Sequence, residues 1–272
     1  MLTDTHCHLD YNKFDIDRAD VIARANDSGL IRMLVPGLNH KSSKEALRLA
    51  ESNPSVYAAV GFHPTDLEEF SAQTFDEVKE IAGHPKVVAV GEIGIDYYWV
   101  KENEKHAIQR EVLKQQLQFA KEINKPVIIH MREENDAWFG EASVDLMKIL
   151  EEWQSSLQGS LAEKPGVLHS FNGNLETAQK ALALNFYLGI TGPVTYKNAD
   201  QKREIIRQLP ITKILIETDS PFLAPVPFRG KRNEPAYVRH IADKIAEIHL
   251  KSPAEIAAIT TANAARLFAW GD

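Results

Sequence analysis

Residues 2–8 read Leu-Thr-Asp-Thr-His-Cys-His, a short apolar segment that leads into two histidines separated by one residue. Side chains alternate between the two faces of a strand, so His6 and His8 are expected to project to one side and Cys7 to the other. Two imidazoles on one side of a strand end can bind a single divalent cation. Alone, such a pair can equally be two polar residues at the end of a strand. A metal site is indicated only if later strands also end in potential ligands.

Seven further segments of the same apolar, β-branched character follow along the chain. Near-continuous apolar runs, in place of an alternating pattern, are typical of strands that are covered on both faces, as in a parallel sheet. The eight predicted strands are residues 2–7, 31–36, 56–62, 86–95, 126–131, 166–171, 186–191 and 214–218.

The segments between and after these strands have helical periodicity. Residues 103–124 carry one apolar stripe, and Ser252 is a predicted N-cap that is followed by Pro253 and, three residues after the cap, by Glu255. Residues 154–165, rich in polar residues, are expected to be a loose connection to the sixth strand. The predicted helices are residues 15–28, 42–52, 74–82, 103–124, 143–156, 174–184, 199–208, 234–249 and 253–268.

Eight strand-then-helix units in succession predict an α/β fold, a (β/α)8 TIM barrel, as a single domain over residues 1–272. The alternative is a doubly wound open sheet. That fold would place a glycine-rich phosphate-binding turn after the first strand, whereas residues 4–10 contain no glycine.

The composition is that of an ordinary globular protein, with 44% hydrophobic and 25% charged residues. One cysteine excludes an internal disulfide framework, and the chain has neither an apolar run long enough to span a membrane nor a recognisable signal peptide, so a cytoplasmic location is expected. The net charge of −7 argues mildly against a protein that coats nucleic acid passively, but not against an enzyme with bound metal.

Potential metal ligands follow or end five of the predicted strands. In a barrel these positions meet at the carboxyl edge of the sheet. One histidine or glutamate in such a place is usually a hydrogen-bonded loop residue or a helix cap. Their joint occurrence favours a metal centre, because burying several imidazoles and carboxylates together is costly unless cations compensate. The predicted ligands are His6, His8, Glu92, His130, His169 and Asp219.

Four imidazoles and two carboxylates exceed the needs of one tetrahedral site and suit two ions about 3.5–4 Å apart. Glu92 is the predicted bridge, because the fourth strand lies between the first and the fifth. The first ion would then have His6, His8, Glu92 and Asp219 as ligands, and the second would have Glu92, His130 and His169. Asp219 is also placed to accept a proton from an attacking water molecule, which makes it and Glu92 the predicted catalytic residues.

Basic residues near the same edge are candidates for binding an anionic substrate. Arg132 follows His130 by two residues and would suit a phosphate or carboxylate group, although a salt bridge with Glu133 or Glu134 explains it as well. A loop after the eighth strand is either solvated or a clamp for a polyanion backbone. Its cations are Arg229, Lys231 and Arg232.

The chain resembles the TatD-type metal-dependent deoxyribonucleases, a branch of the amidohydrolase-like barrels, through seven motifs that occur in the family's order. The resemblance implies a monomeric or weakly associating barrel that hydrolyses DNA, often from the 3′ end, with Mg2+ or another divalent ion. It further implies that His63 and Arg132 contact substrate phosphate and that Asp96 contacts the metal ligands without binding the metal itself. Related amidohydrolases bridge their metals with a carboxylated lysine on the fourth strand, and Glu92 occupies that position here. The motifs are DTHCH at 4–8, GFHP at 61–64, GEIGIDY at 91–97, PVIIHMR at 126–132, HSFNG at 169–173, ETDSP at 217–221 and RNEP at 232–235.

One segment departs from the family pattern. After Arg132 this chain has a longer and more acidic stretch, residues 133–140, and acidic side chains beside the mouth are expected to repel a long polyanion. The leading interpretation is a hydrolase that cleaves phosphodiester bonds of DNA, a 3′-to-5′ exonuclease on single-stranded or damaged DNA.

Two other interpretations remain open. The first is an amidohydrolase-type enzyme that cleaves a small amide, lactone or phosphoester and has no use for the basic loop. The second is a protein that binds a partner through its metal site without catalysis, which the presence of Asp219 disfavours. Two nitrogen-and-oxygen sites accept Mg2+, Mn2+, Zn2+, Ni2+ or Co2+. DNA is the expected partner, and neither a membrane nor an obligate protein partner is predicted.

Overall fold

Eight parallel strands follow one another around a single sheet in the computed structural model, which describes residues 1–270. Each strand pairs with the next in sequence, from β1 to β8. The predicted (β/α)8 barrel is confirmed; of the predicted domain, residues 271 and 272 lie outside the described residues. The strands are β1 (Leu2–Asp4), β2 (Leu30–Pro36), β3 (Val56–Val60), β4 (Val87–Asp96), β5 (Val127–Arg132), β6 (Gly166–Leu168), β7 (Tyr187–Ile190) and β8 (Ile214–Ile216).

The barrel closes through the segments that continue β1 and β8. The backbone N–H of His8 donates to the carbonyl of Ser220 at 2.7 Å, and that of Asp219 donates to the carbonyl of His6 at 2.8 Å. These bonds hold the two segments side by side beyond the last residues of both strands. They therefore place His6 and His8 next to Asp219, although more than two hundred residues separate the two histidines from Asp219 in sequence.

Ten α-helices accompany the sheet in the described part of the chain. The predicted capping box at Ser252 is confirmed, since its hydroxyl accepts from the N–H of Glu255 and the Glu255 side chain bonds back to the N–H of Ser252. A short helix, α6, lies in the segment that was predicted to be a loose connection. The helices are α1 (Arg18–Asp27), α2 (His40–Ser52), α3 (Ala72–Ala82), α4 (Asn103–Glu122), α5 (Glu141–Ser155), α6 (Gly159–Glu163), α7 (Leu175–Ala183), α8 (Asp200–Gln208), α9 (Val238–His249) and α10 (Pro253–Phe268).

Five strands end earlier than predicted. The prediction was wrong in extending β1, β3, β6, β7 and β8 into residues 5–7, 61–62, 169–171, 191 and 217–218. The chain turns out of the ladder at these points, and Ser170 and Asp219 take left-handed backbone conformations with φ of 45° and 54°. Such conformations are uncommon outside glycine and incompatible with a continuing strand. The ligands at β1, β6 and β8 thus follow the strands, and those at β4 and β5 lie within them.

Apolar side chains fill two layers, one inside the barrel and one between the barrel and the helices. On β2, Met33 and Val35 belong to the outer layer and Leu34 to the inner one, as the alternation of a strand requires. The inner layer also contains side chains from the end of the chain, including Phe268 and Trp270. Helix α10 and Trp270 therefore belong to the same packing unit as the barrel interior. In residues 1–270 no helix combines the length and apolarity needed to cross a membrane.

Candidate active site

Four potential ligand atoms meet at the carboxyl edge of β1, β4 and β8. Nε2 of His6 lies 3.2 Å from Nε2 of His8 and 3.2 Å from Oε2 of Glu92. Oδ1 of Asp219 lies 3.3 Å from Nε2 of His8. Around a tetrahedral ion with bonds of about 2.0–2.1 Å, neighbouring ligand atoms are about 3.3 Å apart. Nε2 of His8 lies 3.8 Å from Oε2 of Glu92, and Oδ1 of Asp219 lies 3.9 Å from Nε2 of His6. His6, His8 and Glu92 could therefore hold one divalent cation, and Asp219 lies beside them as the fourth residue of the set predicted for the first ion.

The second oxygen of Glu92 faces a different group of imidazoles. Oε1 lies 2.8 Å from Nδ1 of His130, 3.5 Å from Nε2 of His63 and 3.8 Å from Nε2 of His169. The prediction paired His130 with His169, and the structure also brings in His63, nearer to Glu92 than His169 is. Since the two oxygens of one carboxylate face two groups of imidazoles, Glu92 has the geometry of a bridging ligand.

His169 stands between the two groups. Its ring stacks on that of His6 with centroids 3.5 Å apart, and its Nε2 lies 3.9 Å from Oδ1 of Asp219. The structure therefore brings all six predicted ligands together, with His169 within reach of either group.

The two carboxylates of the predicted ligand set are held in their ionised form. Burial would raise the pKa of Glu92, but the surrounding imidazoles, His6 and His63 among them, lower it well below its usual value. Burial likewise opposes ionisation of Asp219, and the hydrogen bond from His8 together with nearby imidazoles lowers its pKa. Both side chains are therefore available as anionic ligands at neutral pH.

Two further carboxylates orient the histidines, and the sequence analysis gave a supporting role to one of them. Oδ2 of Asp96 lies 2.9 Å from Nε2 of His130. Oε1 of Glu217, which is fully buried, lies 2.9 Å from Nδ1 of His169. A carboxylate on one imidazole nitrogen fixes the tautomer and raises the basicity of the other nitrogen. Glu217 was assigned no role, although its position two residues before Asp219 was a usable signal.

Asp4 is a second residue that sequence analysis missed. It is fully buried, and its carboxylate accepts from the backbone N–H of Thr218 at 2.9 Å and from the hydroxyl of the same residue at 2.5 Å. Burial raises the pKa of Asp4 to about 8. These bonds join β1 to the segment after β8. They therefore help to hold His6, which follows β1, beside Asp219, which follows β8.

A cavity of about 640 Å³ opens above these ligands. This volume is in the range of pockets that take small organic molecules. Its wall combines the predicted metal ligands with aromatic and basic side chains. Besides five of the six predicted ligands, the lining includes His63, Asp96, Trp99, Arg132, Asp136, Lys202, Phe222 and Leu223.

Comparison with known proteins assigns this barrel to a family. A family model described as TatD related DNase matches residues 3–269. The chain belongs to this family. The predicted membership is thereby confirmed, and this TatD-family protein is a metal-dependent hydrolase.

Curated relatives and a solved structure match over nearly the whole chain. The protein named "Uncharacterized metal-dependent hydrolase YabD" of Bacillus subtilis is 42% identical over 268 residues, covering 98% of this chain and 99% of that one. The "3'-5' ssDNA/RNA exonuclease TatD" of Escherichia coli K12 is 35% identical, covering 97% and 98%. The crystal structure of YJJV, a TatD homolog from Escherichia coli, superposes with a TM-score of 0.86 at 31% identity, covering 98% of each chain.

Arg132 of this TatD-family hydrolase forms an ion pair with a carboxylate that also lines the cavity. Its Nε donates to Oδ1 of Asp136 at 2.8 Å, and its guanidinium lies 3.8 Å from the ring centroid of Tyr98. Of the acidic residues 133–136, only Asp136 lines the cavity. Glu133 is buried and accepts from the backbone N–H of Ser143 at 2.6 Å, near the start of α5. One carboxylate of the acidic stretch, and not the whole stretch, therefore faces the mouth.

The basic loop after β8 lies outside the cavity wall. Arg232 forms a two-pronged ion pair with Asp17, at 2.7 and 2.6 Å. The guanidinium of Arg229 lies 4.2 Å from the ring centroid of Tyr196, and Lys231 is exposed. The structure thus does not bring these three cations to the predicted metal ligands. If the loop binds a polyanion, it would contact a part of that molecule outside the cavity.

We expect Gly189→Ala to lower kcat of the TatD-family hydrolase by about 10- to 100-fold, the usual effect of disturbing a residue that supports a metal ligand. A Cβ at position 189 would lie 2.3 Å from Oε1 of Glu217, so the carboxylate must move away from His169. The measurement is kcat together with metal affinity. Gly83→Ala is the control, because nothing lies within 4 Å of a Cβ there. A Gly189→Ala enzyme with unchanged kcat would show that the position of Glu217 is unimportant.

Metal-free protein is expected to lose stability as the pH rises from 6.5 to 10. Burial lowers the pKa of His130 and His169, but the adjacent carboxylates outweigh it and raise these values to about 9 and about 10, above the ordinary 6.5. These two histidines therefore bind more protons in the folded than in the unfolded state in this window, and the stabilisation that they supply below pH 6.5 is lost above it. The lowered pKa of Lys202 acts in the opposite direction only above about pH 8.

In EDTA, the Tm at pH 9.5 should be lower than at pH 6.5 by at least about 5 °C. His130→Asn should weaken this dependence, whereas replacing the half-exposed His84 in the same way should leave it intact. A Tm that is constant or increases over this range would contradict the assignment.

Proposed function

We propose that this TatD-family hydrolase is a 3′-to-5′ exonuclease that cleaves phosphodiester bonds of single-stranded or damaged DNA. The observation that carries the proposal is the position of Glu92, whose two oxygens face two separate groups of potential ligands. A pair of ions bridged in this way suits an in-line displacement at phosphorus. The name of the Escherichia coli relative, an exonuclease acting from the 3′ end on single-stranded DNA and RNA, supports the same activity.

The donor set fits two divalent cations. The ligands of the first would be His6, His8, Glu92 and Asp219, and those of the second would be Glu92, His130 and His169. Imidazole nitrogen and carboxylate oxygen accept Mg2+, Mn2+, Zn2+, Ni2+ or Co2+, and Mg2+ is the proposed ion. Bound cations of this kind supply Lewis-acid activation of water and of the phosphoryl oxygens.

The side chains themselves supply proton transfer and orientation. Asp219, ionised by its lowered pKa and exposed to the cavity by 15% of its side chain, accepts the proton of the attacking water. Arg132 and His63 line the cavity and bind the phosphate of the substrate. Asp96 holds His130, and Glu217 holds His169, in the orientation that ligation needs.

A second candidate function is hydrolysis of a small amide, lactone or phosphoester. The observation that favours it is the place of the basic loop, whose three cations do not line the cavity. Asp136 also neutralises Arg132 at the mouth, which weakens attraction for a long polyanion.

The test is digestion of a 3′-labelled single-stranded oligonucleotide by protein that has been chelated and reloaded with Mg2+ or Mn2+. A 5′-labelled copy shows the direction of shortening, and bis(4-nitrophenyl) phosphate and an aryl ester are assayed in parallel. Progressive loss of 3′ nucleotides that requires added metal supports the proposal. If DNA stays intact while bis(4-nitrophenyl) phosphate or the aryl ester is hydrolysed, the result favours the second candidate function.

A further inference from the structure

The cavity wall contains two basic side chains that differ in their partners. Arg132 pairs with Asp136. The ammonium of Lys202 instead donates one hydrogen bond, to the carbonyl of Phe171 at 3.0 Å, and has no carboxylate within ion-pair distance among residues 1–270. An ammonium has three N–H donors, and among residues 1–270 the only other contact of this one is with the ring of Trp138, whose centroid lies 5.9 Å away. Two of the three donors therefore have no hydrogen-bond acceptor among these residues.

Lys202 is carried by an element that supplies no predicted metal ligand. It lies on α8, which follows β7, and β7 is among the strands that contribute none of the six predicted ligands. Its hydrogen bond to Phe171 ties the ammonium to the loop that follows β6, two residues after His169. No ion pair joins Lys202 to Glu92 or to Asp219, so its charge is not used to neutralise the ligand carboxylates.

A half-buried ammonium without a counter-charge is unfavourable in the free protein. Burial lowers the pKa of Lys202 to about 8, which still leaves the side chain mainly protonated at pH 7. An anion that enters the cavity would accept the two free N–H groups and restore the solvation that burial removed. An anion in the cavity would therefore stabilise the protonated form of Lys202.

We propose that Lys202 binds the phosphate next to the scissile one in a nucleic acid strand. The inference rests on the proposed nuclease function and deepens it. The scissile phosphate belongs at the ligand group around Glu92. Lys202 pairs with no carboxylate of that group and bonds to the loop after β6, so its ammonium contacts the neighbouring phosphate, which in a 3′-to-5′ exonuclease lies on the 5′ side. Lys202 thereby makes the enzyme select a strand with consecutive phosphates over a molecule that has a single phosphodiester.

The experiment compares Lys202→Met and Lys202→Arg with wild type on three substrates, all with the metal-loaded enzyme. The first is a 3′-labelled single-stranded oligonucleotide. The second is the same strand with one uncharged methylphosphonate at the linkage next to the 3′-terminal one. The third is bis(4-nitrophenyl) phosphate, which has one phosphodiester. Lys180→Met is the matched control, because Lys180 is exposed and pairs with Glu176 on α7.

For the ordinary oligonucleotide, Lys202→Met should raise KM by about tenfold, the usual effect of losing a hydrogen bond to a charged group, with little change in kcat. Lys202→Arg should restore most of the loss, and KM for the small diester should stay at the wild-type value. The methylphosphonate should raise KM of wild type similarly and that of Lys202→Met no further, because both changes remove the same contact. The slope of log KM against log salt should also fall by about 0.7 in Lys202→Met, as for one lost contact with a single strand.

Three results would overturn the inference while leaving the nuclease function intact. They are an oligonucleotide KM in Lys202→Met equal to that of wild type, an equal loss on the small diester, and additive effects of the substitution and the methylphosphonate. An equal loss on both substrates would point to a structural role at the Phe171 carbonyl. Wild-type enzyme that hydrolyses the small diester but leaves DNA intact would instead overturn the proposed function, and this inference with it.

Discussion

Replacing Glu92 by glutamine is expected to lower kcat by about 10²–10³-fold, as the loss of a single electrostatic group does in other enzymes. The side chain is 3% exposed, and its two oxygens lie 3.2 Å from Nε2 of His6 and 2.8 Å from Nδ1 of His130. An amide is nearly isosteric but carries no charge and offers one oxygen in place of two. It therefore cannot bridge two cations.

Metal content distinguishes this explanation from a general loss of structure. After dialysis against a low concentration of Mn2+, we expect the wild-type protein to retain two ions and Glu92→Gln to retain one or none. Glu45→Gln is the control, because Glu45 pairs with Arg48 on the outside of α2. A Glu92→Gln enzyme that keeps two ions and near-normal kcat would contradict the bridging role.

Asp219→Asn is expected to lower kcat by about 10²–10⁴-fold, the range observed when a general base is lost. The expected difference from Glu92→Gln lies in metal binding. Asp219 contributes one atom to the first ligand group, 3.3 Å from Nε2 of His8, and the asparagine oxygen can still occupy that position. The variant should therefore retain both ions and lose turnover.

The measurement is kcat beside metal stoichiometry, with KM as a check on substrate binding. Asp20→Asn, at an exposed position on α1, is the control for loss of a single negative charge. Loss of one ion in proportion to the loss of kcat would show that Asp219 acts as a ligand and not as a proton acceptor. Unchanged kcat would exclude the role of proton acceptor.

Local patterns in the sequence were sufficient to predict the barrel and to name six potential ligands that the structure brings together. Apolar runs of strand length alternate with amphipathic segments, and parallel strands leave few ways to connect them. A histidine or carboxylate placed where such a run ends must lie at the carboxyl edge of the sheet, whatever its partners are. His6, His130 and Asp219 could therefore be named without knowledge of the distances between them.

The partners of these residues depended on contacts that no local pattern encodes. Asp4 bonds to Thr218, 214 positions away, and burial in that contact decides its pKa. Glu217 is a support for His169 only because β6, β7 and β8 are neighbours and Gly189 leaves room for its carboxylate.

The basic side chains illustrate the same division. The sequence by itself determined that Arg132 lies near the carboxyl edge of the barrel and that residues 199–208, which include Lys202, form a helix. Only the tertiary structure decided that Asp136 neutralises the first and that the second enters the cavity without a counter-charge. The physical reason is that a charge interacts with whatever lies within a few ångströms of it, and the fold, through long-range packing, sets those neighbours.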